Sequence, residues 1–150
     1  MSEDLELTVD KFTFRVAAGR FYSPEGVWAM PQPEGRVRVG IGDFLQQRSG
    51  DAAFLSVKPA GTRLEAGDEL GALETVKVTL SLHSPVAGTV VEVNRALDLR
   101  PEVVNADPYG EGWLAVIEPA SWEADRDRLL DAPGYRSVVR TQVEQELGNP

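Results

Sequence analysis

The chain contains no cysteine and a single histidine, His83. The first absence excludes disulfide staples, thiolate catalysis and Cys-ligated zinc or iron–sulfur sites. The second excludes a multi-histidine metal centre. Lysine is nearly as scarce. Of the 15 basic residues only Lys11, Lys58 and Lys77 are lysines, and the other 12 are arginines. Chemistry on a side-chain amine therefore has few places to occur. No apolar run approaches the ~20 residues needed to cross a bilayer. The acidic opening, Met1 to Phe12, lacks the apolar h-region of a secretory signal, so a cytoplasmic location is expected. A formal net charge of -9 disfavours sequence-independent binding to nucleic acid or to an anionic membrane. At 150 residues, 42% hydrophobic and 26% charged, the composition is that of one ordinary folded domain. It leaves no room for separate cofactor and substrate domains.

What is present is punctuation. Fourteen glycines and ten prolines separate short apolar stretches: 36–41, 52–57, 77–82, 89–94 and 113–117. Most are rich in Val, Leu and Ile, and several alternate with period two, so they read as strands. Pro59-Ala60-Gly61, Ala66-Gly67-Asp68, Ser84-Pro85 and Asp107-Pro108-Tyr109-Gly110 read as turns. Many short strands with Gly/Pro turns imply a sandwich or small barrel. Helical signals are fewer. Asp43 is expected to cap a short helix through Gln47, and another turn of helix is expected within 95–104. Ser121 is expected to cap a helix with Leu129 and Leu130 on its buried face, and a second helix with Val139 and Val143 inward is expected after Pro133-Gly134. Residues 1–20 read as an N-terminal extension, in which Phe12, Phe14 and Val16 alternate like a docking strand.

Ala60-Gly61-Thr62-Arg63-Leu64-Glu65 returns 27 residues later as Ala87-Gly88-Thr89-Val90-Val91-Glu92. Two readings fit: two similar β halves related by a pseudo-twofold, or a shared habit of starting strands with Gly-Thr after a turn. Lys77 lies between the two copies, flanked by strand-like segments, which places it at or near a hairpin tip. A solvated ammonium there is a poor general base. It is either an ordinary surface lysine or one presented to other proteins as a covalent attachment point.

At this point the residues resemble a family. Val39-Gly40-Ile41-Gly42-Asp43 looks like its V-G-I-T-D, and the run from Gly67 to Lys77 looks like its G-D-x-x-G-x-x-E-S-V-K. Ser84 to Asn94 matches S-P-V-S-G-x-V-V-E-V-N, and Asn105 to Trp113 matches N-x-D-P-Y-G-E-G-W. Leu129 to Tyr135 resembles its closing L-L-D-A-x-x-Y. Residues 22–118 thereby resemble the H proteins of the glycine cleavage system, which are lipoyl carriers. The resemblance implies a mostly β fold: a lipoyl-domain-like barrel-sandwich hybrid of two pseudo-twofold-related β halves, with short helices and a C-terminal helical tail. It divides the chain into a 1–20 extension, a 21–118 carrier domain and a 119–150 helical segment packed on that domain. It assigns no catalytic residue and no metal ligand.

By the same resemblance Lys77 is the lipoyl-lysine. Its modification context is Glu74, Gly61 and Gly88, which stand 3 and 16 residues before it and 11 after. The implied cofactor is lipoate, attached by a lipoate ligase or lipoyltransferase. The implied partners are pyridoxal-phosphate-dependent glycine decarboxylase, aminomethyltransferase and dihydrolipoamide dehydrogenase, and the implied state is a monomeric, non-catalytic carrier. Biotinyl domains, which place Met on both sides of the lysine, are disfavoured by Val76 and Val78 and by the downstream Asp107-Pro108-Tyr109-Gly110-Glu111-Gly112-Trp113. The chain also departs from the family. The usual A-A-S-D after the lysine is Val78-Thr79-Leu80-Ser81, His83 stands where an aromatic is usual, and the family's H-x-W is Gly26-Val27-Trp28. His83 reads as a structural imidazole. These departures keep open an H-like lipoate-binding protein serving another pathway, such as sulfur oxidation with a heterodisulfide-reductase-like complex, or a lipoyl relay.

Overall fold

Apolar alternation builds structure from the outset. In the computed structural model, which describes residues 4–148, strands β1 (Leu5–Val9) and β2 (Phe12–Val16) form an antiparallel hairpin with Leu5 opposite Val16. Leu7, Phe14 and Val16 point inward and are buried, whereas Phe12 is exposed. Residues 1–3 of the expected extension lie outside the described residues.

Next come β3 (Phe21–Tyr22), β4 (Val27–Pro31), β5 (Val37–Ile41), α1 (Asp43–Ser49), β6 (Ala52–Val57), β7 (Arg63–Leu64) and β8 (Glu69–Thr75). They are followed by β9 (Thr79–His83), β10 (Gly88–Val93), α2 (Ala96–Leu99), α3 (Val103–Ala106), β11 (Ala115–Pro119), α4 (Trp122–Arg126) and α5 (Ala132–Gly148). Beyond the hairpin, one six-stranded sheet runs β3-β4-β5-β11-β10-β7 and one three-stranded sheet runs β6-β8-β9. The fold is mostly β, as a lipoyl-type barrel-sandwich hybrid requires. One core lies between the sheets, built from inward positions such as Val39, Ile41, Leu55, Leu73, Leu82, Val90 and Ile117. A second lies where the hairpin, α1 and α5 meet, around Trp28, Phe44, Tyr22, Tyr109, Tyr135, Val139 and Val143. Tyr22 and Tyr135 stack there with ring centroids 4.5 Å apart.

The two copies of the sequence repeat pair with each other. Leu64 faces Gly88 and Arg63 faces Thr89 in an antiparallel ladder, extended by the Val90 amide donating to the Thr62 carbonyl at 2.9 Å.

Several local expectations change. Asp43 is the first residue of α1, not its cap; Gly42 holds the cap position. The Asp43 carboxylate instead accepts from the Arg15 amide at 2.8 Å and from the side chains of Gln46 and Gln47, tying the helix to the hairpin. Ser121 occupies the cap position of α4 without a side-chain cap bond. That helix ends at Arg126, so Leu129 and Leu130 lie beyond it, and Leu130 forms a β-bridge with Tyr22. The last helix starts at Ala132, before Pro133-Gly134. Asp131 caps it by accepting from the Gly134 amide at 2.8 Å, and proline is tolerated in a first turn because its missing N–H has no helical partner there. Val139 and Val143 are buried on its inner face. Residues 149–150 of the tail lie outside the described residues.

Candidate functional site

Strands β8 and β9 project Lys77 from the three-stranded sheet. Leu55, Leu73 and Leu80 are paired across β6, β8 and β9 and face the core, so the next row, Phe54, Glu74 and Thr79, faces solvent. The β8–β9 ladder ends at the Glu74–Thr79 pair, and the segment 76–78 connects the strands with Val76 and Lys77 at its tip. The Thr75 amide donates to the Val78 carbonyl at 2.8 Å. The Thr75 hydroxyl accepts from the amides of Lys77 at 3.2 Å and Val78 at 3.1 Å, so a buried side chain ties the turn from beneath. Val76 is 97% exposed beside the lysine.

The lysine stem runs back over Gly50, where α1 ends. A Cβ on Gly50 would lie 3.3 Å from Lys77 Cε. Gly50 is fixed by Asn105 of α3, whose Nδ2 donates to the Gly50 carbonyl at 2.9 Å and whose Oδ1 accepts from the Ala52 amide at 2.8 Å. Among the described residues the Lys77 ammonium enters no salt bridge. A primary amine on a hydrogen-bonded turn, exposed and without an ion-pair partner among the described residues, suits acylation by another protein.

Of the four residues the sequence singled out, the structure brings only two together: Glu74 lies on the exposed row just below the lysine. Gly61 and Gly88 belong to the β7–β10 pairing in the other sheet. Gly61 adopts a φ of +94° with open space where a side chain would be, and its amide donates to the Val90 carbonyl at 2.7 Å. A Cβ on Gly88 would collide with the Glu118 carbonyl. Their surroundings are turn geometry and strand approach.

One departure from the family, His83, finds a partner distant in sequence. His83, at the base of the lysine hairpin, sets Nδ1 2.6 Å from Glu25 Oε2, and its amide donates to Glu25 Oε1 at 3.0 Å. Glu25 lies in the loop before Trp28, where the expected H-x-W histidine is missing. The imidazole is half exposed and held by a carboxylate; it does not fill a ring's place in the core.

The glycine cleavage H-protein model matches residues 20–142. This chain belongs to that family. A glycine cleavage system H protein of Thermus thermophilus is 42% identical over 124 residues, which is 83% of this chain and 95% of that protein. The one from Bacteroides fragilis is 50% identical over 119 residues, covering 79% and 92%. The crystal structure of a glycine cleavage system H protein from Mycobacterium marinum superposes with a TM-score of 0.72 at 30% identity, over 89% of this chain and all of that one.

Within the glycine cleavage H-protein fold, sequence reasoning passed over three residues of the site: Thr75, Gly50 and Asn105. Thr75 carries a local signal, since it stands at the serine of the family's E-S-V-K and Ser and Thr share the turn-forming hydroxyl. The Ser49-Gly50-Asp51 junction reads as a helix end. Nothing local links either Gly50 or Asn105 to a lysine more than 25 positions away.

Proposed function

We propose that Lys77 carries lipoate in amide linkage and that the chain is a non-catalytic lipoyl carrier of glycine cleavage. It would receive its cofactor from a lipoate ligase or lipoyltransferase and serve glycine decarboxylase, aminomethyltransferase and dihydrolipoamide dehydrogenase in turn. The observation that carries the reading is the exposed Lys77 on a hydrogen-bonded hairpin tip, without an ion-pair partner among the described residues, in a chain of this family. The names of the relatives favour glycine cleavage over a sulfur-oxidation role.

When attached, lipoate supplies a dithiolane that can open to take up an aminomethyl group and close again on oxidation. The chain's own residues present and orient. Thr75 rigidifies the tip, Gly50 leaves space for the lysine stem, and the two-sheet core holds the hairpin base. Tethering keeps the carried group at high effective concentration near successive partners. The acidic surface suits partners with complementary positive patches. Glu74, one row from the lysine, is read as a recognition contact for modification. Gly61 and Gly88 are read as supports of the scaffold. Residues 21–118 form the carrier unit, with 119–150 packed on it. Among the described residues no helix is long and apolar enough to cross a membrane, and we read the protein as a cytoplasmic monomer. Intact-mass measurement of protein incubated with lipoate ligase, lipoate and ATP tests the reading, with Lys77→Arg as control.

A further inference from the structure

Beyond the lysine, the same end of the molecule carries an unexplained apolar surface. Six large hydrophobic side chains are exposed among the described residues, and four of them, Phe54, Val76, Val78 and Leu99, lie on or beside the lysine hairpin. Phe54 is 68% exposed and Leu99 is 87% exposed. Exposure on this scale beside a modification site calls for a partner. Phe54 stands directly opposite Glu74 on the solvent face of β6 and β8. Leu99 ends α2, whose Leu97 is buried while Leu99 points away from the core. Between them runs a groove lined by Phe54, Glu74, Thr79, Asp98, Leu99 and Pro101, with no lysine or arginine in its walls.

We propose that this groove, with Phe54 and Leu99 as anchors and Glu74 and Asp98 as its acidic rim, docks the enzyme that acylates Lys77. The proposal rests on the reading that Lys77 is the lipoylated residue. The choice of partner follows from reach. Before modification the reacting nitrogen has only the lysine's own stem, and that stem lies back against Gly50. An enzyme that acylates this nitrogen must close over the tip and cover the neighbouring row. Partners that act on the far end of a loaded arm work from a greater distance. The docking face of the acylating enzyme is therefore expected to offer an apolar side chain for the space between Phe54 and Leu99 and a cation for Glu74 and Asp98.

In the step served, Nζ attacks the acyl carbon of a lipoyl-adenylate formed from lipoate and ATP. The C–N amide bond forms, the bond from acyl carbon to phosphate oxygen breaks with its electron pair leaving on AMP, and the original ammonium gives up two protons.

The test measures attachment rate against carrier concentration, with a lipoate ligase, lipoate and ATP, reading the adduct by intact mass. For Phe54→Ser and Leu99→Ser the KM for the carrier should rise about tenfold with kcat within about twofold, because uniform binding is lost and the transition state at Nζ is untouched. Phe54→Tyr should restore the wild-type KM. Both positions are exposed, so thermal midpoints should stay at the wild-type value. Variants loaded to completion by excess ligase should be reduced by dihydrolipoamide dehydrogenase and NADH at the wild-type rate. Wild-type attachment kinetics in Phe54→Ser and Leu99→Ser would overturn the proposal. So would normal attachment combined with impaired loading by glycine decarboxylase, which would give the groove to that enzyme. Failure of wild-type protein to gain an adduct, or an adduct that survives Lys77→Arg, would instead remove the underlying reading.

Discussion

Lys77 and Gly50 are in near contact: a methyl group on Gly50 would lie 3.3 Å from the lysine Cε and 3.8 Å from Nζ. Gly50 also has a φ of 91° and a ψ of -172°, a region that is almost exclusively glycine's. Gly50→Ala should therefore cost about 1–3 kcal/mol in chemical denaturation. It should also slow lipoylation of Lys77 at saturating ligase, because the added methyl crowds the lysine stem at Cε. Full stability together with a wild-type rate would show that Gly50 is an ordinary connector.

Asn105 is the partner that fixes this glycine. Its carboxamide donates to the Gly50 carbonyl and accepts from the Ala52 amide, and its Nδ2 also lies 3.1 Å from Gln46 Oε1. Asn105→Ala leaves a backbone donor and acceptor without partners and should destabilise by about 1–3 kcal/mol. Asn105→Asp keeps the acceptor but turns a carboxylate toward the Gly50 carbonyl. It should be at least as destabilising, measured by urea unfolding near neutral pH.

Gly61 and Gly88 are equivalent in sequence, but their substitution should not be equivalent. Gly61→Ala meets open space at a φ of +94° and should cost about 1 kcal/mol from backbone strain alone. Gly88→Ala drives a methyl into the Glu118 carbonyl and the Ile117 side chain, and should cost several times more. Neither change should alter the rate of lipoylation of the protein that remains folded. A selective loss of modification rate, with stability intact, would make the pair recognition residues.

The aromatic core sets an alkaline limit. Burial pushes the Tyr22, Tyr109 and Tyr135 phenols above the ordinary value of 10.0. The unfolded chain ionises these phenols near pH 10 while the folded chain keeps them neutral. The unfolded state then binds fewer protons, and stability falls as pH rises past that point, by up to about 1.4 kcal/mol per pH unit for each tyrosine. The Tyr135 hydroxyl is also buried with no hydrogen-bond partner among the described residues. Tyr135→Phe should raise stability by about 1 kcal/mol at pH 7 and flatten its decline above pH 10. Unfolding midpoints across pH 7–11 check both.

The strands that carry the site were legible because their signal is local. Short apolar stretches between turn signals mark β5, β6 and β10, and the lysine between two such stretches reads as a tip. The family motifs are what mark that lysine as the candidate for modification. What escaped depends on contacts distant in sequence. Asp43 looks like a helix cap, but its carboxylate is taken by the Arg15 amide 28 positions away. Leu129 and Leu130 follow the Ser121 helix signal, yet that helix ends at Arg126 and Tyr22 claims Leu130 for a bridge. Residues 52–57 read as a strand, but the sequence does not say which side Phe54 takes; the pairing with Glu74 on the exposed row shows that it faces out. His83 likewise finds Glu25 58 positions away, a pairing no window of sequence contains.

The most direct test of the carrier reading is intact-mass analysis of the protein after incubation with lipoate ligase, lipoate and ATP, with peptide mapping of the product. The expected product carries one lipoyl adduct per chain, located on Lys77 and abolished by Lys77→Arg. An unmodified chain, or an adduct on Lys11 or Lys58, would contradict the carrier reading.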